Sequence, residues 1–166
     1  KASQYNLRAA LRLEGVLDRR ALSGALDALV ERHQILRSTF IEDAQGARQL
    51  VHPYLPVMFE QHDLSTLEPA AREQALQVLM EEEAGRDFAL ASEAPLAARQ
   101  VILGPMSHAV LLTIHHLATD GTSMTILTRE FMQFYDALRR GQAAALPALP
   151  FQYGDFAAWQ QGALGE

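Results

Sequence analysis

Hydrophobic residues recur along this chain with two different periods. Apolar and polar side chains alternate over residues 5–13, with Leu7, Ala9, Leu11 and Leu13 on one face, a pattern typical of a half-buried strand. Elsewhere the apolar residues recur every three or four positions, which predicts amphipathic helices. The expected strands are residues 5–13, 36–42, 48–52, 57–61, 96–103 and 108–117. The expected helices are residues 19–34, 69–85, 122–140 and a further one from about 153.

Short polar and glycine-containing segments predict how these elements begin, end and pair. Asp18 is a good N-cap for the first helix, and Pro69 and Gly85 suit the first turn and C-terminal cap of the second. A turn at residues 104–107 makes the strands on either side of it a hairpin. The second of these strands, residues 108–117, is apolar on both faces and should be central. The expected class is α/β, with a mixed, mostly antiparallel sheet and flanking helices.

Composition narrows the class of protein. The 166 residues suit one domain, and the net charge of −6 without a Lys/Arg block argues against a nucleic-acid surface. The absence of cysteine excludes disulfides, cysteine-based zinc sites and a thiol nucleophile. No apolar run reaches the ~18 residues of a membrane span, so a cytoplasmic protein without a membrane partner is expected. Because the chain begins with Lys1, we expect a segment of a longer protein.

The first candidate for chemistry is a pair of histidines, His115 and His116, at the end of the last predicted strand. Neighbouring side chains on a strand point to opposite faces, which disfavours a metal site shared by the pair. His116 lies on the same face as His108 and Ile114, where the strand turns into a helix, and could serve as a general base or a hydrogen-bond donor. The alternative is that both histidines are core residues that bond to the backbone.

Asp120 and two arginines form the second set of candidates. Asp120 is either the N-cap of the helix over residues 122–140 or a buried carboxylate that faces an arginine. Arg37 opens a strand between apolar neighbours and needs a carboxylate, for which Asp120 is the candidate. Arg32 in the last turn of a helix suits the helix dipole. Gly121 implies either a positive φ or a close neighbour.

Other parts of the sequence carry less chemistry. The acidic run over residues 81–83 is expected to be a solvated helix face. A Gly-x-Ser-x-Gly elbow, a glycine-rich phosphate loop and a His-Glu-x-x-His pair are all missing from the sequence. Serine hydrolase, dinucleotide-binding and zinc protease chemistry therefore have no support.

Four segments, taken together and in order, resemble the condensation domain of non-ribosomal peptide synthetases. Residues 115–121 match the family's His-His-x-x-x-Asp-Gly motif at each fixed position. Residues 32–40, RHQILRSTF, are similar to the motif Arg-His-x-x-Leu-Arg-Thr-x-Phe, with serine in the threonine position. Residues 88–96 resemble its Phe-Asp-Leu and Pro-Leu segment, with alanine in place of the aspartate, and residues 153–159 resemble its Tyr-x-Asp-Tyr-Ala-x-Trp segment.

The resemblance implies the chloramphenicol acetyltransferase-like fold, in which two lobes form a V around the active site. This chain would be the N-terminal subdomain, residues 1–166, with the α/β lobe at residues 1–140. Residues 141–152 would be a linker, and residues 153–166 would start a further helix or the crossover to the missing half. The family's first motif and its whole second half are not in this sequence.

The resemblance also implies an acyltransferase activity and a role for each motif residue. The family forms a peptide bond between a donor acyl or peptidyl thioester and the amine of an acceptor aminoacyl thioester. His116 matches the catalytic histidine, His115 and Arg32 match supporting positions, and Asp120 matches a structural aspartate that pairs with an arginine, here expected to be Arg37. Gly121 matches the glycine that lines the phosphopantetheine tunnel. Such proteins belong to antibiotic and other secondary-metabolite biosynthesis.

No cofactor is expected to bind directly, because the substrates arrive on the 4′-phosphopantetheine arms of carrier proteins. The implied partners are donor and acceptor peptidyl carrier domains, the C-terminal half of the domain and a neighbouring adenylation domain. One half of the tunnel alone is expected to condense nothing measurable. Two alternatives stay open: a related coenzyme A- or carrier-dependent acyltransferase of the same fold, which typically lacks the doubled histidine, and a non-catalytic module that docks a carrier.

Overall fold

A computed structural model describes residues 6–120, 122–143, 145, 146 and 149 of the chain. The strands are β1 (Asn6–Glu14), β2 (Ser38–Asp43), β3 (Gly46–Val51), β4 (Met58–Asp63), β5 (Leu96–Gly104) and β6 (Ser107–His115). The α-helices are α1 (Arg19–Arg32), α2 (Pro69–Ala84) and α3 (Met124–Arg139). Two short 3₁₀ helices cover Gln34–Arg37 and His116–Asp120.

The main sheet has four strands in the order β1-β6-β5-β4, and β2 and β3 form a separate hairpin. The β1–β6 and β5–β6 pairs are antiparallel, whereas β4 and β5 are parallel. The predicted mixed, mostly antiparallel sheet is therefore confirmed. Strand β6 is central, and every residue after Ser107 is buried. Its apolar side chains on both faces correctly predicted that position.

Helices cover both faces of the sheet, and the contacts that hold them differ between the two faces. Helices α1 and α3 cover one face with an apolar core that includes Leu22, Leu29 and Phe131 against Leu112 of β6. Helix α2 covers the other face with a smaller apolar cluster and with ion pairs. The second face therefore carries buried charge close to the end of β6.

Most predicted boundaries agree with the structure. Asp18 is the N-cap of α1, and its Oδ1 accepts a hydrogen bond from the Ala21 N–H at 3.0 Å. Gly85 is the C-cap of α2. The strand predicted over residues 36–42 begins two residues later, at Ser38, because residues 34–37 form a 3₁₀ helix.

The predictions for the C-terminal residues are only partly covered by the structure. The helix predicted from about residue 153 and half of the linker predicted over residues 141–152 lie outside the described part of the chain. Leu146 packs against the core formed by α1 and α3. No helix among the described residues has the length and apolar character needed to cross a membrane.

Candidate active site

His115 is the last residue of β6 and its side chain is buried, with 2% of the residue exposed. Its Nδ1 accepts a hydrogen bond from the Leu117 N–H at 3.2 Å, which fixes the proton of the neutral ring on Nε2. Its backbone N–H donates to the Pro95 carbonyl at 2.9 Å. The Phe88 ring meets the imidazole edge-on, with 6.0 Å between ring centroids. These contacts hold the His115 ring against the first residues of the turn after the strand.

His116 starts the second 3₁₀ helix and is exposed. Its ring centroid is 4.8 Å from that of His115, and its carbonyl accepts a hydrogen bond from Thr119 Oγ1 at 2.5 Å. The prediction that His116 continues the strand on the face opposite His115 is wrong, because the strand ends one residue earlier. The turn brings the His116 imidazole to the surface at the end of the central strand, where a substrate can reach it.

Asp120 ends the same 3₁₀ helix, but its side chain and all of Gly121 lie outside the described part of the structure. The N-cap of α3 is Ser123, whose Oγ accepts a hydrogen bond from the Ile126 N–H at 3.1 Å. The prediction of Asp120 as the cap of that helix is therefore wrong, since the cap lies three residues further on. The pairing of Asp120 with an arginine and the tunnel role of Gly121 stay predictions.

The Arg37 guanidinium bonds to backbone carbonyls. Its Nε donates to Val30 O at 3.2 Å, and its terminal nitrogens donate to His52 O at 2.9 Å and Glu31 O at 3.3 Å. These bonds connect the end of α1 to the segment after β3. Arg37 lies in the first 3₁₀ helix, so the strand environment that suggested a carboxylate partner is absent there. Its pairing with Asp120 stays a prediction.

Arg32 and His33 share a buried carboxylate that the sequence did not suggest. Glu130 of α3 has a side chain only 7% exposed, and its Oε1 lies 2.6 Å from His33 Nε2 and 3.1 Å from Arg32 Nε. Burial lowers the pKa of His33 below its ordinary value, and this outweighs the opposite effect of the Glu130 carboxylate. Because a carboxylate oxygen accepts, His33 Nε2 is the donor of this hydrogen bond. The cluster connects the end of α1 to the helix that follows His116.

The acidic run over residues 81–83 is not simply a solvated face. Glu83 is 1% exposed, and its carboxylate contacts the guanidinium groups of Arg86 and Arg99 and the hydroxyl of Thr113. Burial alone would raise the pKa of Glu83, but the hydrogen bonds from Arg86 and Thr113 and the charges of both arginines together lower it. The sequence signal for this network was Thr113, a polar residue between apolar neighbours in the central strand.

Among the described residues, no group of three or more histidine, cysteine or acidic side chains could hold a metal ion. The His116 ring lies beside the His115 imidazole, and the Thr119 hydroxyl bonds to the His116 carbonyl. Such groups can bind and orient a polar substrate by hydrogen bonding.

Comparison with known proteins identifies the family. A model of the condensation domain matches residues 1–166 of the chain. The chain belongs to the condensation-domain family. It is 36% identical over 157 residues to chondramide synthase cmdD of Chondromyces crocatus, a match that covers 95% of this chain and 4% of that protein. It is also 36% identical over 162 residues to phosphinothricin tripeptide synthetase PhsC of Streptomyces viridochromogenes, covering 98% of this chain and 15% of that protein.

Solved structures place this condensation-domain chain in the chloramphenicol acetyltransferase-like fold. The X-domain in complex with OxyB from teicoplanin biosynthesis matches with a TM-score of 0.83 and 30% identity, over 97% of this chain and 34% of that one. The first condensation domain of the CDA synthetase matches with a TM-score of 0.80 and 25% identity, over 97% of this chain and 41% of that one. The chain therefore spans well under half of these solved relatives. It corresponds to the N-terminal part of the condensation domain.

Proposed function

We propose that the condensation domain containing this chain forms amide bonds between carrier-bound substrates. The donor is an acyl or peptidyl group in thioester linkage to the 4′-phosphopantetheine of one carrier domain. The acceptor is an aminoacyl thioester on another. The acceptor nitrogen attacks the donor carbonyl carbon, a C–N bond forms, and the C–S bond breaks. The donor carrier keeps its thiol, which takes up the proton that the nitrogen loses.

One observation supports this proposal above the others: the motif separates its two histidines into different environments. His115 is buried and bonded to the Leu117 N–H, whereas His116 is exposed on the turn that this bond stabilises. A buried structural imidazole next to an accessible one is what a site needs when a single imidazole acts on substrate. The doubled histidine also favours a peptide-forming enzyme over related ester-forming acyltransferases.

His116 acts by binding the attacking amine and by stabilising the tetrahedral intermediate through hydrogen bonding. A free amine is already nucleophilic, so complete removal of its proton before attack is not required. Hydrogen-bond donors placed where charge develops in the transition state lower the activation barrier. They do so more than an interaction with the ground state would. General-base help from the same imidazole is the alternative role, worth ~10²–10⁴-fold in rate.

The remaining motif residues shape the site around His116. Arg32 and His33, joined to Glu130, connect the end of α1 to α3. Asp120 is assigned a structural ion pair, with Arg37 as its partner, and Gly121 the wall of the phosphopantetheine tunnel. Arg37 braces the end of α1 through its three carbonyl contacts. None of these residues is required to touch the reacting atoms.

The proposed function needs more protein than this chain contains. The second wall of the tunnel comes from the rest of the condensation domain, and the substrates come from donor and acceptor carrier domains, the latter loaded by an adenylation domain. The chain spans only 34–41% of the two solved relatives described above. Residues 1–166 alone are therefore expected to give no measurable condensation.

The test uses the complete condensation domain with two donors and two acceptors. The donor acyl group is offered on a carrier domain or on coenzyme A, and the acceptor thioester carries either an amine or a hydroxyl group. Product is detected by mass spectrometry of the acceptor carrier. Amide formation from the carrier-bound donor is expected to dominate. Preferred use of coenzyme A or of the hydroxyl acceptor would favour an ester-forming relative. Carrier binding without product from any pair would favour a docking module.

A further inference from the structure

A network of buried charge lies under the end of the strand that carries His115. The Glu83 Oε1 atom accepts hydrogen bonds from Arg86 Nε at 2.8 Å and from Thr113 Oγ1 at 2.7 Å. The Oε2 atom lies 2.6 Å from a terminal nitrogen of Arg86 and 2.6 Å from Arg99 Nε. The carboxylate is 2% exposed, so water cannot replace these partners cheaply. The geometry therefore fixes Thr113 relative to α2.

The first connection from this network to the candidate active site runs along β6. Thr113 and His115 are two residues apart on the same strand, so both side chains point to the α2 face of the sheet. In the sheet, His115 is paired with Asn6 of β1, whose amide donates to the Arg86 carbonyl at 2.6 Å. The strand end is therefore attached to α2 and the residues after it at two places. A shift of Thr113 would move His115 with it.

The second connection runs through the residues that follow α2. The bidentate pair with Glu83 fixes Arg86, and Phe88 follows two residues later and meets the His115 ring edge-on. That ring accepts the Leu117 N–H with its Nδ1. The hydrogen bond spans His116, which lies between the two residues it joins. The orientation of the His115 ring therefore sets the start of the turn on which His116 lies.

We propose that Thr113, through its hydrogen bond to Glu83, is a positioning residue for His116. The inference rests on the proposed function, because it concerns the site at which the amide forms. Thr113 does not touch the substrate; it acts through the end of β6 and His115. Loss of its hydroxyl leaves the two arginines paired with Glu83, so the fold is retained while the strand end gains freedom. A misplacement of about 1 Å at a reacting group can cost ~100-fold in rate.

The test compares three substitutions in the complete condensation domain. Thr113→Val keeps the shape of the side chain and removes its hydroxyl, and Thr113→Ser restores a hydroxyl at the same place. Thr128→Val is the control, since the Thr128 hydroxyl bonds to the Thr125 carbonyl at 3.0 Å on an exposed part of α3. The readouts are kcat and KM for the acceptor carrier, and the ¹⁵N signals of selectively labelled histidine, which report the His115 tautomer.

We expect Thr113→Val to lower kcat by ~10- to 100-fold without changing KM, and to weaken the signal of the unprotonated His115 Nδ1. Thr113→Ser should recover both, and Thr128→Val should match the wild type. If Thr113→Val keeps kcat and the signal while His116→Ala is inactive, the inference fails and the proposed function stands. If His116→Ala keeps its full rate, the proposed function fails. In that case the ¹⁵N signal alone tests the inference. An unchanged His115 signal in Thr113→Val refutes it, and loss of that signal supports the physical connection between Thr113 and His115.

Discussion

Removing the Glu130 carboxylate should destabilise the domain far more than removing an exposed one. The Glu130 side chain is 7% exposed and serves both His33 Nε2 at 2.6 Å and Arg32 Nε at 3.1 Å. Glu130→Leu removes the acceptor of the buried His33 N–H and of the largely buried Arg32 guanidinium. Breaking a buried charged pair in this way costs ~3–5 kcal/mol of unfolding free energy. Because Arg32 is 15% exposed and has a further contact, we expect the lower end of that range.

Two further substitutions separate charge from packing. Glu130→Gln keeps the length and one acceptor oxygen, so it replaces a charge-assisted hydrogen bond by a neutral one and should cost ~1–2 kcal/mol. Glu73→Gln is the control, since the pair of Glu73 with Arg12 at 3.1 Å is more than half exposed on both sides. An exposed pair contributes ~0–1 kcal/mol.

The assay is urea unfolding of the complete condensation domain, with the free energy of unfolding taken from transitions of equal slope. The predicted order of destabilisation is Glu130→Leu, then Glu130→Gln, then Glu73→Gln. A Glu130→Leu protein that loses no more stability than Glu73→Gln would refute the buried cluster.

Two further predictions concern pH and helix capping. Burial lowers the pKa values of His33 and His108 from an ordinary 6.5, so the unfolded state binds more protons and stability should fall as the pH drops below 6.5. Unfolding midpoints that stay constant from pH 7 down to ~5 would contradict this. Asp18→Ala removes the acceptor of the Ala21 N–H and should cost ~1 kcal/mol in urea unfolding, whereas Asp18→Asn, another good cap, should cost little. Equal losses for both variants would contradict the capping role.

The fold was largely predictable because local patterns and tertiary contacts agree. Strand β6 is apolar on both parities, and that alone predicts a strand covered on both faces. Asp18 caps α1 as expected because the chain leaves an extended segment just before the apolar helical stripe begins.

The site was less predictable because its decisive contacts join residues far apart in the sequence. The partner of His33 is Glu130, 97 residues away, and that of Thr113 is Glu83, 30 residues away. An acidic run on a helix predicts a solvated face. The prediction changes only when positively charged side chains of other segments, here Arg86 and Arg99, are known to lie against it. The strand predicted over residues 108–117 extended two residues too far, because the Leu117 N–H bonds to His115 and begins a turn after that residue.

The central claim is that His116 is the catalytic residue of an amide-forming condensation domain. The direct measurement is the single-turnover rate of amide formation by the complete domain with loaded donor and acceptor carriers, for wild type, His116→Ala and His62→Ala. His62 lies on β4, away from the motif, and its side chain is 33% exposed. We expect His116→Ala to lower the rate by at least ~100-fold and His62→Ala to leave it unchanged. A His116→Ala domain that condenses at the wild-type rate would contradict the claim.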